Sequence, residues 1–225
     1  MSRALGPTGR TRLRRKPIRG SHDAAVVHAI LDEALICHVG IAGRPGDAGG
    51  APIVIPTTHV RLDDRLYVHG SAASHLLGAL AAGVEACVTV TLLDGLVLAR
   101  TAMHHSVNYR SVVLFGRGVP IDDDDEKRRA LAALLDKMVA GRSRACRAPD
   151  ERELIATKVI GFAITEASAK IRTGPPLAED SADALLPYWS GVVPVRTAWG
   201  TPEPSPDCTV VVPDELRLAA APAVR

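Results

Sequence analysis

With 225 residues, 47% of them apolar and only 3% aromatic, the chain is long enough for one domain of ordinary size, its core built from Ala, Val, Leu and Ile. A formal net charge of +2 gives no global field that argues for nucleic acid, and the apolar run VTVTLLDGLVLA, broken at Asp94, falls short of a bilayer span. No basic segment followed by an apolar one suggests secretion. Cys37, Cys87, Cys146 and Cys208 show neither CxxC pairing nor zinc spacing, so free thiols in a reducing cytoplasm are expected.

Residues 1–20 carry Arg3, Arg10, Arg12, Arg14, Arg15, Lys16 and Arg19 and no acid. Such an arm allows a non-enzymatic reading, a regulatory or nucleic-acid-binding dimer. It holds no aromatic residue for stacking and no nucleic-acid module follows, so it is expected to be a flexible arm folding in part onto the body. Residues 21–200 form the main domain and 201–225 a Pro-rich tail.

Ser21 or Asp23 can cap a helix whose stripe is Val26, Val27, Ile30, Leu31 and Ala34. ALICHVGIA reads as a strand and GRPGDAGGAP as a turn. IVIPTTHVRLDDRLYVHGS is a hairpin about Asp63-Asp64; a two-residue loop pairs Leu62 with Arg65 and, by extension, Thr58 with His69. Pro56 removes one ladder donor. SAASHLLGALAAG is a helix with Ser71 as N-cap and Gly83 past its end. VEACVTVTLLDGLVLARTAMHH and VNYRSVVLFGRGVPI are long strands. IDDDDEKRRALAALLDKMVAGR is a helix whose acids complement its dipole and which Gly141 ends; EF-hand spacing is absent. TKVIGFAITEASAKIRTGPP reads as one more strand. Hairpins without βαβ alternation point to a mainly β (α+β) fold, an antiparallel sheet or barrel with helices outside.

If His104 and His105 lie in a strand, they face opposite ways and cannot share a metal. HGSAASH puts Gly70, Ser71 and Ser74 at a strand-to-helix junction suited to phosphate. In the next strand, parity sets His104, Ser106, Asn108 and Arg110 on one face and Val107, Tyr109, Ser111 and Val113 on the other. Arg110 needs an anion, either a carboxylate such as Glu85 or Asp94 or a ligand. GxSxG, HExxH, Walker A and GxGxxG are all missing, so chemistry would come from a bound cofactor.

PIVIPT, LYVHGSAASHLLGAL, VTVTLLDGLVLARTAMHHSVNYRSVVLFG and KIRTGPP…PYWSGVVPV together resemble the pyridoxamine 5′-phosphate oxidase-like flavin-binding proteins, in the branch related to nitroimidazole resistance. The resemblance spans roughly residues 12–196. It implies an antiparallel split β-barrel forming a homodimer with FMN at the subunit interface. Backbone groups near Pro56 and Thr57 would meet the flavin ring. The turn from His69 and Gly70 would hold the phosphate through Ser71 and Ser74. His75 stands where relatives carry Arg. Tyr109, Arg110 and Ser111 would reach the flavin from the next strand. Lys170, Arg172 and Trp189 match a segment that crosses to the partner's site, with Trp189 as a lid. The implied activity is a cytoplasmic flavin-dependent oxidoreductase taking hydride from NAD(P)H for a small acceptor such as a nitroaromatic. Vitamin B6 synthesis is not implied, because the longer basic set for the vitamin phosphate is missing. Some split barrels hold haem instead, and His69, His104 or His105 would then be axial ligands.

Overall fold

The computed structural model describes residues 5–43, 50–177, 182–214 and 216. The GRPGDAGGAP turn and the ends of the arm and tail lie largely or partly outside them. In chain order the elements are β1 (Gly20–Ser21), α1 (Ala24–Glu33), β2 (Ile36–Ile41), β3 (Ile53–Leu62), β4 (Arg65–Ser71), α2 (His75–Ala81), β5 (Glu85–Leu98), β6 (Ser106–Arg117), β7 (Val119–Pro120), α3 (Asp124–Met138), α4 (Glu151–Ala156), β8 (Thr157–Ala163), β9 (Glu166–Arg172) and β10 (Gly191–Pro194).

The strands form one antiparallel ten-stranded sheet in the order β1-β9-β6-β5-β2-β3-β4-β8-β7, with β10 added to the far end of β5. The sheet curls without closing, which is the split barrel. Strand β3 is the corner. Ile53–Thr58 pairs with β2, while His59–Leu62 pairs with β4. The hairpin about Asp63-Asp64 has the expected register, Leu62 opposite Arg65, and Asp63 takes a positive φ of 49° that Asp tolerates. The ladder stops at His59–Val68, one pair before Thr58 and His69, because the strands part there.

The interior is filled from every side. Val27, Ile30 and Leu31 of α1 and Leu76, Leu77 and Leu80 of α2 meet Cys37, Val39, Leu66, Val68, Val88, Val90, Val112, Leu114, Ile160 and Phe162. Asp23 caps α1 by accepting from Ala25 N at 2.8 Å. A second, smaller core lies on the outside of β3-β4-β8, where Ala130 and Leu134 of α3 cover Val60, Tyr67 and Val159.

Several expectations are corrected. Residues 157–172 form a hairpin, β8 and β9, since Ile164 N reaches back to Asp64 O at 2.8 Å and turns the chain. The cap of α2 is Ser74, accepting from Leu77 N at 3.4 Å; Ser71 is still strand. Gly83, at φ +79°, does sit just past that helix. Helix α3 ends at Met138, where Val139 turns extended, and Gly141 opens a separate 3-10 turn. His104 closes another 3-10 turn, so neither it nor His105 belongs to β6, which starts at Ser106. The arm is docked in its described part. Leu5 and Thr11 are buried, and Arg10 bridges Glu85 and Glu166 while stacking on Phe115.

Candidate functional site

Beyond His59–Val68 the barrel opens into a wedge. One lip is the unpaired edge of β3, where Pro56 is exposed and Thr57 half-buried. The other lip is the end of β4 with the turn into α2. Along it His69, Gly70 and Ser71 pair only with Val159, Lys158 and Thr157 of β8. Ser71 Oγ accepts from Ala73 N at 3.2 Å, and Ser74 N donates to Ser71 O at 2.9 Å. Both serine hydroxyls keep their protons for another acceptor. Gly70 packs closely, since a Cβ there would come 3.1 Å from Leu77 Cδ1. His75 is exposed at the start of α2. His69 Nδ1 is buried without a partner, and burial lowers the pKa of this imidazole and keeps it neutral. An orphaned polar atom beside free hydroxyls is what a polar ligand in the wedge would satisfy. Lys158, facing Gly70 across the ladder, adds a cation that nothing in the sequence tied to the turn.

Parity holds from residue 106 onward: Asn108, Val112 and Leu114 point inward and are buried, while Val107, Tyr109, Ser111 and Val113 lie on the outer face. Arg110 points inward and is taken by protein. Its Nε and Nη2 donate to Asp94 at 3.0 and 2.8 Å, and Nη2 and Nη1 donate to Glu33, the former at 2.7 Å. Hydrogen bonds from Arg110 hold the Glu33 carboxyl below its usual range, and both carboxylates raise the guanidinium. Of the two sequence readings, the internal salt bridge is what forms, with Asp94 as named and Glu33 as a second acid. Glu85 belongs to Arg10.

Tyr109, Ser111 and Lys170 share the outer face, since Tyr109 pairs with Arg172 and Ser111 with Lys170. Ser111 Oγ donates to Lys170 O at 3.3 Å. Strands β5 and β2 lie between β6 and β3, so these residues are not ladder neighbours of the Pro56–Thr57 lip of the same chain. Arg172 is 4% exposed and, among the described residues, bonds only neutral groups: Asn108 Oδ1, Gly174 O at 3.2 Å and Pro175 O at 3.3 Å. Trp189, 65% exposed, stands beside Gly191, where a Cβ would collide with its ring at 2.8 Å.

His105 Nδ1 lies 3.1 Å from the Thr101 carbonyl. A carbonyl only accepts, so Nδ1 carries the proton and the neutral ring presents a bare Nε2 on an exposed turn. His104 Nδ1 is 3.1 Å from Thr101 Oγ1. Among the described residues no group of three His, Cys, Asp or Glu could hold a metal ion, and no helix is long and apolar enough to cross a membrane.

His59 and Lys137 belong to no motif that singles them out in the sequence. His59 is 1% exposed, with Nε2 2.9 Å from Leu31 O and 3.1 Å from Lys137 Nζ, and its Nδ1 has no partner. Lys137 also donates to Leu31 O at 2.8 Å and His59 O at 3.1 Å. Burial lowers the imidazole to about 4 and the ammonium to about 8. Both line an apolar pocket of about 320 Å³ with Ile36, Thr58, Leu134 and Trp199, next to the β3 lip.

An unclosed antiparallel barrel with a wedge at its corner strand defines the split-barrel class. The sequence matches the pyridoxamine 5′-phosphate oxidase family over residues 23–171, and the chain belongs to that family. Among solved structures it is similar to the flavocytochrome Anf3 from Azotobacter vinelandii, at 39% identity over 95% of this chain and 97% of that one, with a TM-score of 0.86. It is also similar to the FAD and haem binding protein from Mycobacterium smegmatis, at 35% identity over 90% of this chain and 97% of that one, TM-score 0.83. A putative 5-nitroimidazole antibiotic resistance protein from Bacteroides thetaiotaomicron shares the fold at 22% identity over 68% of this chain and 86% of that one, TM-score 0.56. No curated protein matches the chain.

Proposed function

We propose that the protein is a redox protein that binds a flavin and a haem. The observation that carries this reading is the pair of relatives matched over nearly their full length, one a flavocytochrome and the other a FAD and haem binding protein. The residues present fit both groups. A flavin would lie in the wedge, its ring against the backbone at Pro56 and Thr57 and its phosphate on Ser71, Ser74 and Lys158, with the orphaned His69 Nδ1 available as a partner. The bound flavin supplies hydride and single-electron chemistry, while the chain positions it and excludes water. His105, its Nε2 free and its tautomer fixed by Thr101, is the residue that would hold a haem iron, ahead of His104 and His69.

The exposed outer face would be covered by a second copy in a homodimer, which would also bring Tyr109, Ser111, Lys170 and Trp189 to the partner's wedge. Within this reading, a flavin held in the wedge would supply the redox chemistry between NAD(P)H and a small acceptor. A nitroaromatic is one acceptor to test, and the apolar pocket beside Thr58 is shaped for a small molecule.

The test is the visible spectrum of the purified protein, as isolated and after addition of FMN, FAD and haemin. Flavin bands together with a Soret band are expected, and His105→Ala should shift or abolish the Soret band while sparing the flavin. A protein that takes up neither group defeats the proposal. NAD(P)H oxidation with and without the nitroaromatic then separates a reductase from an electron carrier.

A further inference from the structure

We propose that Arg15, Lys16, Arg19, Lys170 and Arg172 form a binding site for the diphosphate of a nucleotide. This deepens the flavin reading and rests on it for the identity of the nucleotide, though not for the binding of a diphosphate.

The five cations meet where the docked arm runs along β9. Gly20 pairs with Lys170 and Ser21 with Ala169, which places Arg19 and Lys16 beside the end of that strand. None of the five has an ion pair to a described residue, whereas Arg10, Arg61, Arg65, Arg110 and Arg147 are each matched with a carboxylate. Repulsion from Arg19 above all, and then from Arg15, Arg172 and Lys170, pulls the Lys16 ammonium below its usual pKa. Arg172 is the sharper anomaly. It is almost fully buried and satisfied only by an amide and two carbonyls, and burial and then Arg19 lower its pKa. A buried guanidinium without a counter-ion is costly, and a neighbouring anion offsets that cost.

The site is built rather than loose. Leu5 is buried, Arg10 clamps the arm to Glu166 and Glu85, and His22 Nε2 lies 3.2 Å from Thr11 O. At its apex Lys16 holds a left-handed backbone, φ 54° and ψ 60°, a conformation disfavoured for Lys that persists where surrounding structure imposes it. Several converging cations match the multiple charges of a diphosphate better than one phosphate. Ile18, 95% exposed in the same turn, offers one apolar contact suited to a base or ring. The charges converge on one turn and do not form the extended stripe that tracks nucleic acid, and a lone Ile is not the apolar face of a membrane-surface helix. The site is also not the wedge phosphate seat of its own protomer. Along the sheet, β9, β6, β5 and β2 lie between Gly20 in β1 and Thr58 in β3.

The experiment is calorimetric titration of the full chain with ADP, inorganic pyrophosphate, AMP and FMN, comparing wild type with Lys16→Gln/Arg19→Gln. ADP and pyrophosphate should bind wild type, AMP more weakly, and the double variant should lose about tenfold or more for the diphosphates while FMN binding is unchanged. Lys16→Gln alone, at a fully exposed side chain, should show the same direction with an unaltered melting curve, which guards against misfolding. Weaker FAD binding in the variant with FMN unaffected assigns the diphosphate to the flavin. Weaker NADPH binding with FAD unaffected assigns it to the reductant. Equal ADP and pyrophosphate affinity in both proteins overturns the site, as does a variant that loses only DNA or phosphatidylserine-vesicle binding. Wild type that binds ADP but no flavin leaves this site standing and defeats the flavin proposal instead.

Discussion

The two outward faces of the same curled sheet have opposite fates. Outside β3-β4-β8, α3 lays Ala130 and Leu134 over Val60, Tyr67 and Val159, and that half is dry on both sides. Outside β2-β5-β6, no helix of the described chain is laid over the sheet as α3 is, and Arg10 of the arm covers it only at Phe115 and Glu85. Val54 is 60% exposed there, and Ile36, Leu93, Leu96, Val107 and Val193 also face water. Leu96 pairs with both Val107 and Val193, so the apolar side chains run as a row across three strands. A large apolar row left open on a well-packed barrel marks an interaction surface, and the residues of β6 and β9 proposed to reach the flavin share it. One face finishes the fold, and the other is the face open to the partner and ligand proposed above.

The contrast has measurable consequences. Val54→Asp/Leu96→Asp should leave the monomer folded but abolish the proposed dimer, since like charges facing across an interface cost several kcal/mol; sedimentation should show only monomer, with flavin content falling in parallel. On the covered face, Leu134→Ala should cost about 3 kcal/mol in denaturant unfolding. Leu93→Ala, on the bare face, should change monomer stability by less than about 0.5 kcal/mol. Equal costs at the two positions would contradict the assignment of the faces.

His59 links the covered half to pH. Its imidazole titrates near 4 in the folded chain against 6.5 ordinarily, so between those values the unfolded chain binds more protons. Its contribution is complete above pH 6.5 and is lost as pH falls toward 4, roughly 3 kcal/mol in all. His59→Gln should flatten the stability profile in that window relative to wild type. Arg110→Met should cost about 1–2 kcal/mol, a buried-pair figure reduced because Glu33 is solvated, and high salt should shrink the difference. At the wedge, His75→Arg should tighten flavin binding several-fold through one charge-assisted contact; equal dissociation constants would remove His75 from the phosphate seat.

Sequence reasoning succeeded where local rules decide. Asp63-Asp64 fixed its hairpin to the residue, because turn chemistry and alternation agree there. HGSAASH was legible from its own residues as a strand-to-helix turn, and the structure sets it between β4 and α2. Sequence reasoning missed the β8–β9 hairpin because Ile164 and Thr165 are not turn residues, and their bend is set by a distant carbonyl at Asp64. It missed α4, which is only Glu151–Ala156 and is held by a capping box from Asp150. Glu33 and Arg110 lie 77 positions apart, and Lys137 and His59 lie 78 apart, so nothing in either neighbourhood announces the contact.

Strand β5 carries one residue more than its partner needs. Leu93 pairs with Tyr109 and Gly95 with Asn108, neighbours in β6, which leaves Asp94 outside the ladder. Its carboxylate is thereby free to bind Arg110, and its carbonyl to receive Val195 N at 3.1 Å beyond β10. Excising that single position would keep inside-outside alternation intact along the whole strand. It would also release half of Arg110's donors, so whether this guanidinium serves the scaffold or a guest molecule depends on an insertion one amino acid long.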